Sequence, residues 1–376
     1  MSTEKSNPPQ GASSGKSIDD YRTKIDSIDK QLVSLLDERA EVAREIGQAK
    51  ISVGKQKFFD PSRQKQVIQN AISMSNSSFP QESLRNVYVE IMSGCLAREK
   101  PTTVGYLGPE ATFSHLAALS EFGNSAELKT FNSIVDVFLA MDRDWIDFGV
   151  VPIENSTGGV IHTTLDMFLE YDLLICSEIY LNIHQNLISK NPLSRIKTIY
   201  SKSEVFLQCQ IWLKENLPAA QHIEVASTAK GVELASSRDY AAAIGSDIAA
   251  RMFNVPVLAA GIEDMKDNTT RFLVIGKQKS QPTGQDKTSV MFSIQDRPGA
   301  LFDLLQAFAE RGINLTKIES RPTRRKAWDL VFFVDMEGHQ SEAKVSEALE
   351  ALGTHTRNMR IMGSYPRDIK TDRNLE

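Results

Sequence analysis

The strongest constraint on the fold of this chain is a long stretch near its N-terminus, Ser17 to Ile46, that contains neither proline nor glycine. Ser17 followed by Asp20 indicates a capping box at a helix start. The pattern predicts one helix of about 33 residues, roughly 50 Å long. A helix of that length must bury its apolar stripe against a partner, so we expect the chain to dimerise. The stripe is Ile25, Ile28, Leu32, Leu35, Leu36, Val42 and Ile46.

Composition predicts a globular protein with more than one core. At 376 residues the chain is too long for one ordinary domain, and two or three domains of about 100–200 residues are expected. The net charge of −5 argues against binding to nucleic acid. No apolar run approaches the roughly 18 residues of a membrane span. We therefore expect neither nucleic acid nor membrane as a partner.

The N-terminus and the cysteines indicate the compartment. Residues 1–16 are rich in Ser, Gly, Pro and Asn and lack the apolar core of a signal peptide, so we expect a disordered tail. Cys95, Cys176 and Cys209 form no CxxC motif, which indicates reduced thiols in the cytoplasm. The six histidines show no metal-ligand spacing, and we expect no metal site.

Three segments are predicted, followed by a tail at residues 365–376. Residues 17–100 are helical throughout. Residues 102–279 alternate strand and helix, which indicates α/β architecture. After a linker rich in Gln, Pro, Thr and Gly, residues 287–364 follow the order β-α-β-β-α-β of a ferredoxin-like α+β fold.

Four turns of the α/β segment place glycines and hydroxyl residues directly before a predicted helix. Backbone N–H groups at a helix N-terminus attract anions. We therefore expect a carboxylate-like ligand, although N-capping alone explains any one turn. The turns are Gly108–Ser114, Glu154–Gly159, Ser227–Thr228 and Gly245–Ser246.

Thr270, Arg271 and Phe272 set a hydroxyl, a guanidinium and an aromatic ring side by side at the start of a strand-like stretch. With a period of 2, Thr270 and Phe272 would share one face and Arg271 the other. At a strand end or turn, Thr270 and Arg271 could instead meet one ligand. Such a pair suits chemistry on an acidic substrate. The alternative is an edge-strand threonine beside a surface arginine.

Together, these segments resemble the bifunctional chorismate mutase–prephenate dehydratase family of phenylalanine biosynthesis. The resemblance implies a multidomain fold: an all-α mutase module, a two-lobed α/β dehydratase domain like a periplasmic binding protein, and a ferredoxin-like α+β ACT domain. The dehydratase motifs are Gly108-Pro-Glu-Ala-Thr-Phe-Ser114, Val151-Pro-Ile-Glu-Asn-Ser-Thr-Gly158 and Thr270-Arg-Phe272, and the ACT motifs are Gly299-Ala-Leu301 and Glu319-Ser-Arg-Pro322.

The resemblance implies that the helical module rearranges chorismate to prephenate. This pericyclic step needs positioned charge rather than a covalent catalyst. Glu99 would face the ether oxygen, and a carboxyl group donates a hydrogen bond only when protonated, so we expect mutase activity to fall as pH rises. The family often carries Glu where Gln64 stands. The implied catalytic residues are Arg22, Arg39, Lys50, Arg63 and Glu99, with Asp60, Gln64 and Cys95 binding the substrate.

Helix geometry predicts which of these residues can converge. Arg39 and Lys50 are about 16 Å apart along the axis and within about 20° of one face, so both can reach one ligand. Arg22 and Arg39 are separated by about 25 Å along the axis and about 100° around it. Arg22 would therefore come from the antiparallel helix of a partner chain. The alternative is a decayed mutase module kept as a dimerisation arm.

The resemblance implies that the α/β domain removes CO2 and water from prephenate, without metal or organic cofactor. Thr270 would donate to the leaving hydroxyl, Arg271 would clamp a carboxylate, and Phe272 would pack on the ring or support the core. Further donors and cleft residues would be Asn155, Ser156 and Thr157, with Thr112, Ser227 and Thr228 binding substrate.

The ACT domain implies feedback inhibition by L-phenylalanine bound between regulatory domains of a homodimer or higher homo-oligomer. Its alternative is a purely structural dimerisation domain. Two other readings of the whole chain stay open: an arogenate dehydratase, whose substrate differs by one amino group, and a non-catalytic amino-acid sensor. The implied effector residues are Gly299, Ala300, Leu301, Glu319, Ser320, Arg321 and Pro322.

Overall fold

A computed structural model describes residues 17–54, 59–76, 78–294, 297–322 and 330–368. The tail expected over residues 1–16 lies outside these ranges, as do the last residues of the tail expected after residue 364.

The N-terminal helical domain begins with the predicted capping box, in which Asp20 N donates to Ser17 Oγ at 3.2 Å and Ser17 N donates to the Asp20 carboxylate at 2.8 Å. Its helices are α1 Ile18–Ser52, α2 Pro61–Met74 and α3 Gln81–Glu99. Gly47 lets α1 and α3 approach closely, because a Cβ added there would lie 3.0 Å from Glu99 Cβ.

The first half of α1 exposes its apolar stripe. Ile25, Leu32 and Leu35 are each more than half exposed, whereas the buried residues of the helix are Ala43 and Gly47. The predicted long helix is therefore confirmed, and its stripe offers an apolar surface to another molecule.

The central α/β domain runs from residue 103 to residue 276. Its strands are β1 Thr103–Leu107, β2 Glu127–Phe131, β3 Phe148–Asn155, β4 Gly159–Val160, β5 Leu174–Asn182, β6 Asn186–Ile188, β7 Thr198–Ser201, β8 Gln221–Glu224, β9 Ala241–Gly245, β10 Val257–Ala259 and β11 Thr269–Gly276. Its helices are α4 Phe113–Phe122, α5 Ile134–Asp142, α6 His162–Glu170, α7 Ser203–Gln208, α8 Gln210–Asn216, α9 Thr228–Ser237 and α10 Asp247–Met252.

These elements form two lobes, as predicted. The first lobe is a sheet in the order β2-β1-β3-β11-β5, with β4 beside β3. The second is a sheet in the order β10-β6-β9-β7-β8. The chain crosses between the lobes after β5 and returns before β11, and Ile183 N donates to Asn268 O at 2.7 Å where the crossings meet.

One local prediction was wrong. The loop after β3 does not enter a helix directly, because residues 155–158 close a hairpin between β3 and β4. Helix α6 begins later, at His162.

The C-terminal domain has the predicted β-α-β-β-α-β order: β12 Asp286–Ile294, α11 Ala300–Ala309, β13 Leu315–Pro322, β14 Leu330–Glu337, α12 Ala343–His355 and β15 Thr356–Pro366. Its antiparallel sheet has the order β13-β14-β12-β15. One face packs on α11 and α12 through Phe292 and Val334. The other packs on the first lobe through Phe333 and Tyr365.

The expected tail does not begin at residue 365. Tyr365 is fully buried, and Asp368 accepts a hydrogen bond from Tyr180 N at 2.8 Å. Among the helices of the described ranges, none combines the length and the apolar composition needed to cross a bilayer.

Candidate active sites

The first candidate site lies where the two lobes meet, at the carboxyl ends of their parallel strands. In the first lobe this edge carries the loops after β1 and β3 and the start of the antiparallel strand β11. In the second it carries the loops after β7, β8 and β9. Ser246 Oγ donates to Ala111 O at 3.0 Å, and Gln208 Nε2 donates to Thr157 Oγ1 at 3.2 Å across the junction. Open α/β sheets bind ligands at this edge.

Asn155 connects the hairpin to Thr270, its register partner on β11. Asn155 Oδ1 accepts from the backbone N–H groups of Thr157 at 3.1 Å and Gly158 at 2.8 Å. Because those groups can only donate, the orientation of the Asn155 amide is fixed. Its Nδ2 donates to Thr270 Oγ1 and to Asn268 Oδ1, both at 2.8 Å. Thr270 Oγ1 thus accepts a bond and keeps its own proton for donation.

Ser156 and Thr157 hold the hairpin against the returning strand. Ser156 N donates to Thr269 O at 2.9 Å, and Thr269 N donates to Ser156 Oγ at 3.0 Å. The Ser156 hydroxyl donates to Asp267 O at 3.2 Å, and the Thr157 hydroxyl to Asn155 Oδ1 at 2.7 Å. In this geometry both residues act on the loop, and Asn155 alone of the predicted trio contacts Thr270 in the described ranges.

Arg271 does not lie where a carboxylate clamp needs it. The strand period sends its side chain to the face opposite Thr270, where it is 5% exposed. Its guanidinium donates to Glu178 Oε2 at 2.9 Å, Asp335 Oδ2 at 2.6 Å and Tyr365 Oη at 3.0 Å. The clamp expectation is corrected: Arg271 joins the first lobe to the C-terminal domain.

Two further groups complete this buried cluster. Lys287 Nζ lies 2.9 Å from Glu178 Oε1, and Ser289 Oγ donates to Asp335. Although burial acts to raise it, the charge of Arg271 and the Ser289 hydrogen bond hold the pKa of Asp335 below its ordinary value. Two cations, Arg271 and Lys287, therefore balance two carboxylates, Glu178 and Asp335, in a buried site.

Phe272 supports the core. It is 2% exposed and packs in the first lobe with Tyr106 and Val150. Of the two roles foreseen for its ring, packing in the core is the one that its position serves.

Thr112, Ser227 and Thr228 lie on the facing edges, but two of their hydroxyls have local partners. Thr112 Oγ1 donates to Pro109 O at 2.9 Å, and Ser227 Oγ accepts from Lys230 N at 3.0 Å as an ordinary helix cap. Thr228 is buried at the start of α9. Their roles in substrate binding stay predictions.

His115 was not foreseen at this edge. Ala111 has a positive φ of 62°, and its N–H donates to His115 Nδ1 at 3.0 Å. The ring stacks on Tyr106, and burial lowers the pKa of His115, so the imidazole is neutral at pH 7 with its proton on Nε2.

The second candidate site lies between α1 and α3. Lys50 Nζ forms an ion pair with Glu99 Oε2 at 2.8 Å, and Arg39 Nη1 contacts Cys95 Sγ at 2.8 Å. The structure thus brings these four predicted residues together as two pairs, each joining α1 to α3. Arg22 is exposed near the start of α1, paired with Asp19 at 3.2 Å.

The predicted residues of α2 do not join this group. Asp60 caps α2 by accepting from Ser62 N at 2.9 Å, and exposed Arg63 donates to Gln66. Gln64 is 5% exposed and donates from Nε2 to Glu121 O of α4 at 2.6 Å. In this structure Gln64 joins the helical and α/β domains, which corrects its expected contact with substrate. A glutamate carboxylate could not donate this bond.

The first effector motif lies at the start of α11. Gly299 has a φ of 81°, a left-handed conformation that favours glycine, and precedes buried Ala300. Leu301, Phe302 and Ile318 are exposed apolar side chains of the same domain. Phe302 is 68% exposed, and such a surface suits an apolar ligand or a second ACT domain.

The second effector motif alternates its side chains along β13. Arg321 donates to Asp166 Oδ1 of α6 at 2.8 Å, and Lys317 reaches Glu154 Oε2 at 2.6 Å. Glu319 pairs in register with Phe333, so it shares the face that packs on the first lobe. The expectation that Arg321 meets the effector is therefore corrected. Ser320 and Pro322 are exposed.

Sequence reasoning missed the buried charges that surround Arg271. Glu178 lies in an apolar strand, Leu174–Asn182, and Asp335 in another, Leu330–Glu337. A carboxylate inside such a run was the available signal, since buried charges are paired.

Family models match three consecutive parts of the chain: chorismate mutase type II over residues 21–100, prephenate dehydratase over 104–280, and the ACT domain over 288–354. The bifunctional chorismate mutase/prephenate dehydratase of Aquifex aeolicus is 44% identical over 357 residues, spanning 94% of this chain and 98% of the relative. That of Stutzerimonas stutzeri is 40% identical over 354 residues, spanning 93% and 97%.

A solved structure agrees in fold. The prephenate dehydratase from Arthrobacter aurescens, crystallised in complex with L-Phe, is 33% identical, with a TM-score of 0.66, and the match covers 70% of this chain and 90% of that one. The three family models, the relatives matched over nearly their whole length and the site between the lobes all indicate one family. The chain belongs to the bifunctional chorismate mutase/prephenate dehydratase family.

Proposed function

We propose that this chain catalyses two consecutive reactions: rearrangement of chorismate to prephenate in the helical domain, then conversion of prephenate to phenylpyruvate, CO2 and water between the lobes. The observation that carries the second assignment is the Thr270 hydroxyl. It is held at the interlobe edge by a bond that it accepts from Asn155. Its own proton is therefore directed to another acceptor.

The dehydration needs little more than a positioned donor. The bond between the ring and its carboxylate breaks, its electron pair moves into the ring, and the C4–O bond breaks. The departing oxygen takes one proton and leaves as water. Because the ring becomes aromatic, the reaction is downhill. Thr270 donates to the oxygen as it leaves, and Asn155 holds Thr270 in place.

The mutase reaction needs two cations and a donor. Between α1 and α3, Lys50 meets Glu99 and Arg39 meets Cys95, and we place a chorismate carboxylate and the ether oxygen there. Arg22 of the same chain is too far along the helix, so it would serve the site of a second copy. The exposed stripe of α1 supports this homodimer.

We further propose that L-phenylalanine binds at the ACT domain and inhibits dehydration. Gly299 and the exposed Phe302 and Ile318 suit an aromatic amino acid at an interface between two ACT domains. The Arthrobacter relative in complex with L-Phe supports this choice. Inhibition requires that the effector bind two states of the enzyme unequally.

The interface between the sheet of the ACT domain and the first lobe suits a coupling of effector binding to dehydration. Lys317 pairs with Glu154, the residue before Asn155, and Asp335 pairs with Arg271, the residue after Thr270. A shift of the ACT sheet would therefore act on Glu154 and Arg271, which adjoin Asn155 and Thr270 in the sequence.

One pair of assays tests the assignment: consumption of chorismate and formation of phenylpyruvate by the purified chain, with and without millimolar L-phenylalanine. Both activities are expected, with the second inhibited. Dehydration without chorismate consumption would support a decayed mutase arm instead. Faster turnover of arogenate than of prephenate would support an arogenate dehydratase.

A cytoplasmic location remains a prediction. Cys95, Cys176 and Cys209 are buried and form no disulfide, which fits a reducing compartment. Fractionation of the source cells would test it.

A further inference from the structure

Asn268 lies beside Asn155 and Thr270. It is 2% exposed, and its backbone carbonyl accepts from Ile183 N at the crossing between the lobes. Its side-chain Oδ1 accepts from Asn155 Nδ2 at 2.8 Å. Thr270 Oγ1 lies 2.8 Å from the same nitrogen, so Asn268 and Thr270 are neighbours.

The hydrogen bonds of Asn155 fix which end of Asn268 is the donor. Backbone N–H groups of Thr157 and Gly158 require Asn155 to present its oxygen to them and its nitrogen to Asn268. Asn268 must therefore offer oxygen to Asn155. Its Nδ2, with two protons, is left on the other side of the amide.

That nitrogen is buried and has no hydrogen-bond partner among the described residues. A buried donor without a partner is costly, and native proteins keep one where function uses it. A second such atom, Gln185 Oε1, belongs to the same junction, since Gln185 bonds to Gln208 and Gln208 to Thr157. The junction thus holds both a donor and an acceptor for a polar ligand.

We infer that Asn268 Nδ2 is a second hydrogen-bond donor to the leaving hydroxyl oxygen of prephenate. The inference rests on the proposed dehydratase function. As the C4–O bond breaks, negative charge grows on that oxygen. Two donors aimed at it stabilise the transition state more than the ground state. Thr270 passes a proton to the departing oxygen and regains one from solvent, whereas Asn268 supplies a bond without losing a proton.

The experiment compares Asn268→Asp and Asn268→Ser with the parent. Asp keeps the oxygen that Asn155 needs and removes the donor, whereas Ser keeps a small donor. We expect kcat for dehydration to fall about 100-fold in Asn268→Asp, with partial retention in Asn268→Ser. KM for prephenate is expected to change far less than kcat in Asn268→Ser, because the bond strengthens in the transition state.

Chorismate consumption and the thermal midpoint serve as folding controls and should stay near the parent values. If both Asn268 variants keep kcat within threefold of a parent that dehydrates prephenate, the inference is wrong. If the parent itself forms no phenylpyruvate, the proposed function has failed instead.

Discussion

Arg271 and Asp335 belong to different domains, yet their side chains form a buried ion pair of 2.6 Å. Arg271 follows the candidate proton donor directly in the sequence. The pair therefore connects the strand that carries Thr270 to the sheet of the ACT domain. It also assigns Arg271 of the Thr270-Arg271-Phe272 motif a structural role.

Removing one member of this cluster should destabilise the protein strongly. Arg271→Met leaves one buried cation, Lys287, for the two carboxylates of Glu178 and Asp335, and we expect a loss of about 3–5 kcal/mol in the free energy of unfolding. The double variant Arg271→Met/Asp335→Asn restores the charge balance and should recover part of this loss. Urea denaturation would measure both. Equal stability of the single and double variants would contradict the assigned pairing.

Substitutions of Thr270 and Asn155 are expected to slow dehydration without disturbing the fold. Thr270→Ala should reduce kcat for dehydration at least about 100-fold, because it removes the donor, while chorismate consumption continues. Asn155→Asp keeps the acceptor for the hairpin amides but no longer donates to Thr270, so an intermediate loss is expected. Assays of chorismate consumption and of phenylpyruvate formation by each variant test this expectation. Full dehydration by Thr270→Ala would remove Thr270 from the mechanism.

The mutase reaction should depend on a hydrogen-bond donor at position 99. Glu99 lies 2.8 Å from Lys50 Nζ, where we place the ether oxygen of chorismate. Glu99→Gln presents an amide donor there, whereas Glu99→Ala removes the polar group, so we expect Glu99→Gln to consume chorismate at least about 10-fold faster than Glu99→Ala. Initial rates of chorismate consumption compare the two variants. Equal rates would rule out the role.

A buried acid should make stability fall with increasing pH. Burial raises the pKa of Glu121, and the charge of Arg85 and the Ser177 hydroxyl offset part of that effect. Above pH 4.5 the unfolded chain ionises this group more readily than the folded protein, so the fold loses stability as pH rises. The thermal midpoint of Glu121→Gln should therefore fall less than that of the parent between about pH 5 and 8. The exposed Glu215→Gln is the matched control and should follow the parent.

Dimerisation should depend on the exposed stripe of α1. Leu32→Glu places a charge on that stripe and is expected to halve the mass measured by light scattering and to abolish chorismate consumption, since Arg22 would no longer reach a partner. Lys30→Glu, on the polar side of the same helix, is the control. A mutase-active monomer would contradict the shared site.

Local patterns predicted the elements well because they depend on nearby residues. The capping box at Ser17, the long α1 and the β-α-β-β-α-β order each follow from spacing alone. The hairpin after Asn155 was missed, because hydroxyl and glycine residues serve tight turns between strands as well as helix starts.

The partners of the charged residues could not be read from the sequence. Arg271 and Arg321 looked like ligand contacts, but each meets a carboxylate from another domain, Asp335 or Asp166. Gln64 likewise donates to α4 rather than to a substrate. Such contacts depend on how whole domains pack, and residue spacing carries no information about that.

The strand order of the first lobe also bears on how the protein is made. Strand β11 is the last of its lobe to leave the ribosome, yet it occupies the middle of the sheet, between β3 and β5. Until residue 276 has been synthesised, two strands have an unpaired edge and Thr270 has no fixed position. The helical domain and the second lobe, each built from one continuous stretch, can form earlier. The nascent chain thus acquires its second activity late, when the strand that carries the proton donor closes the sheet.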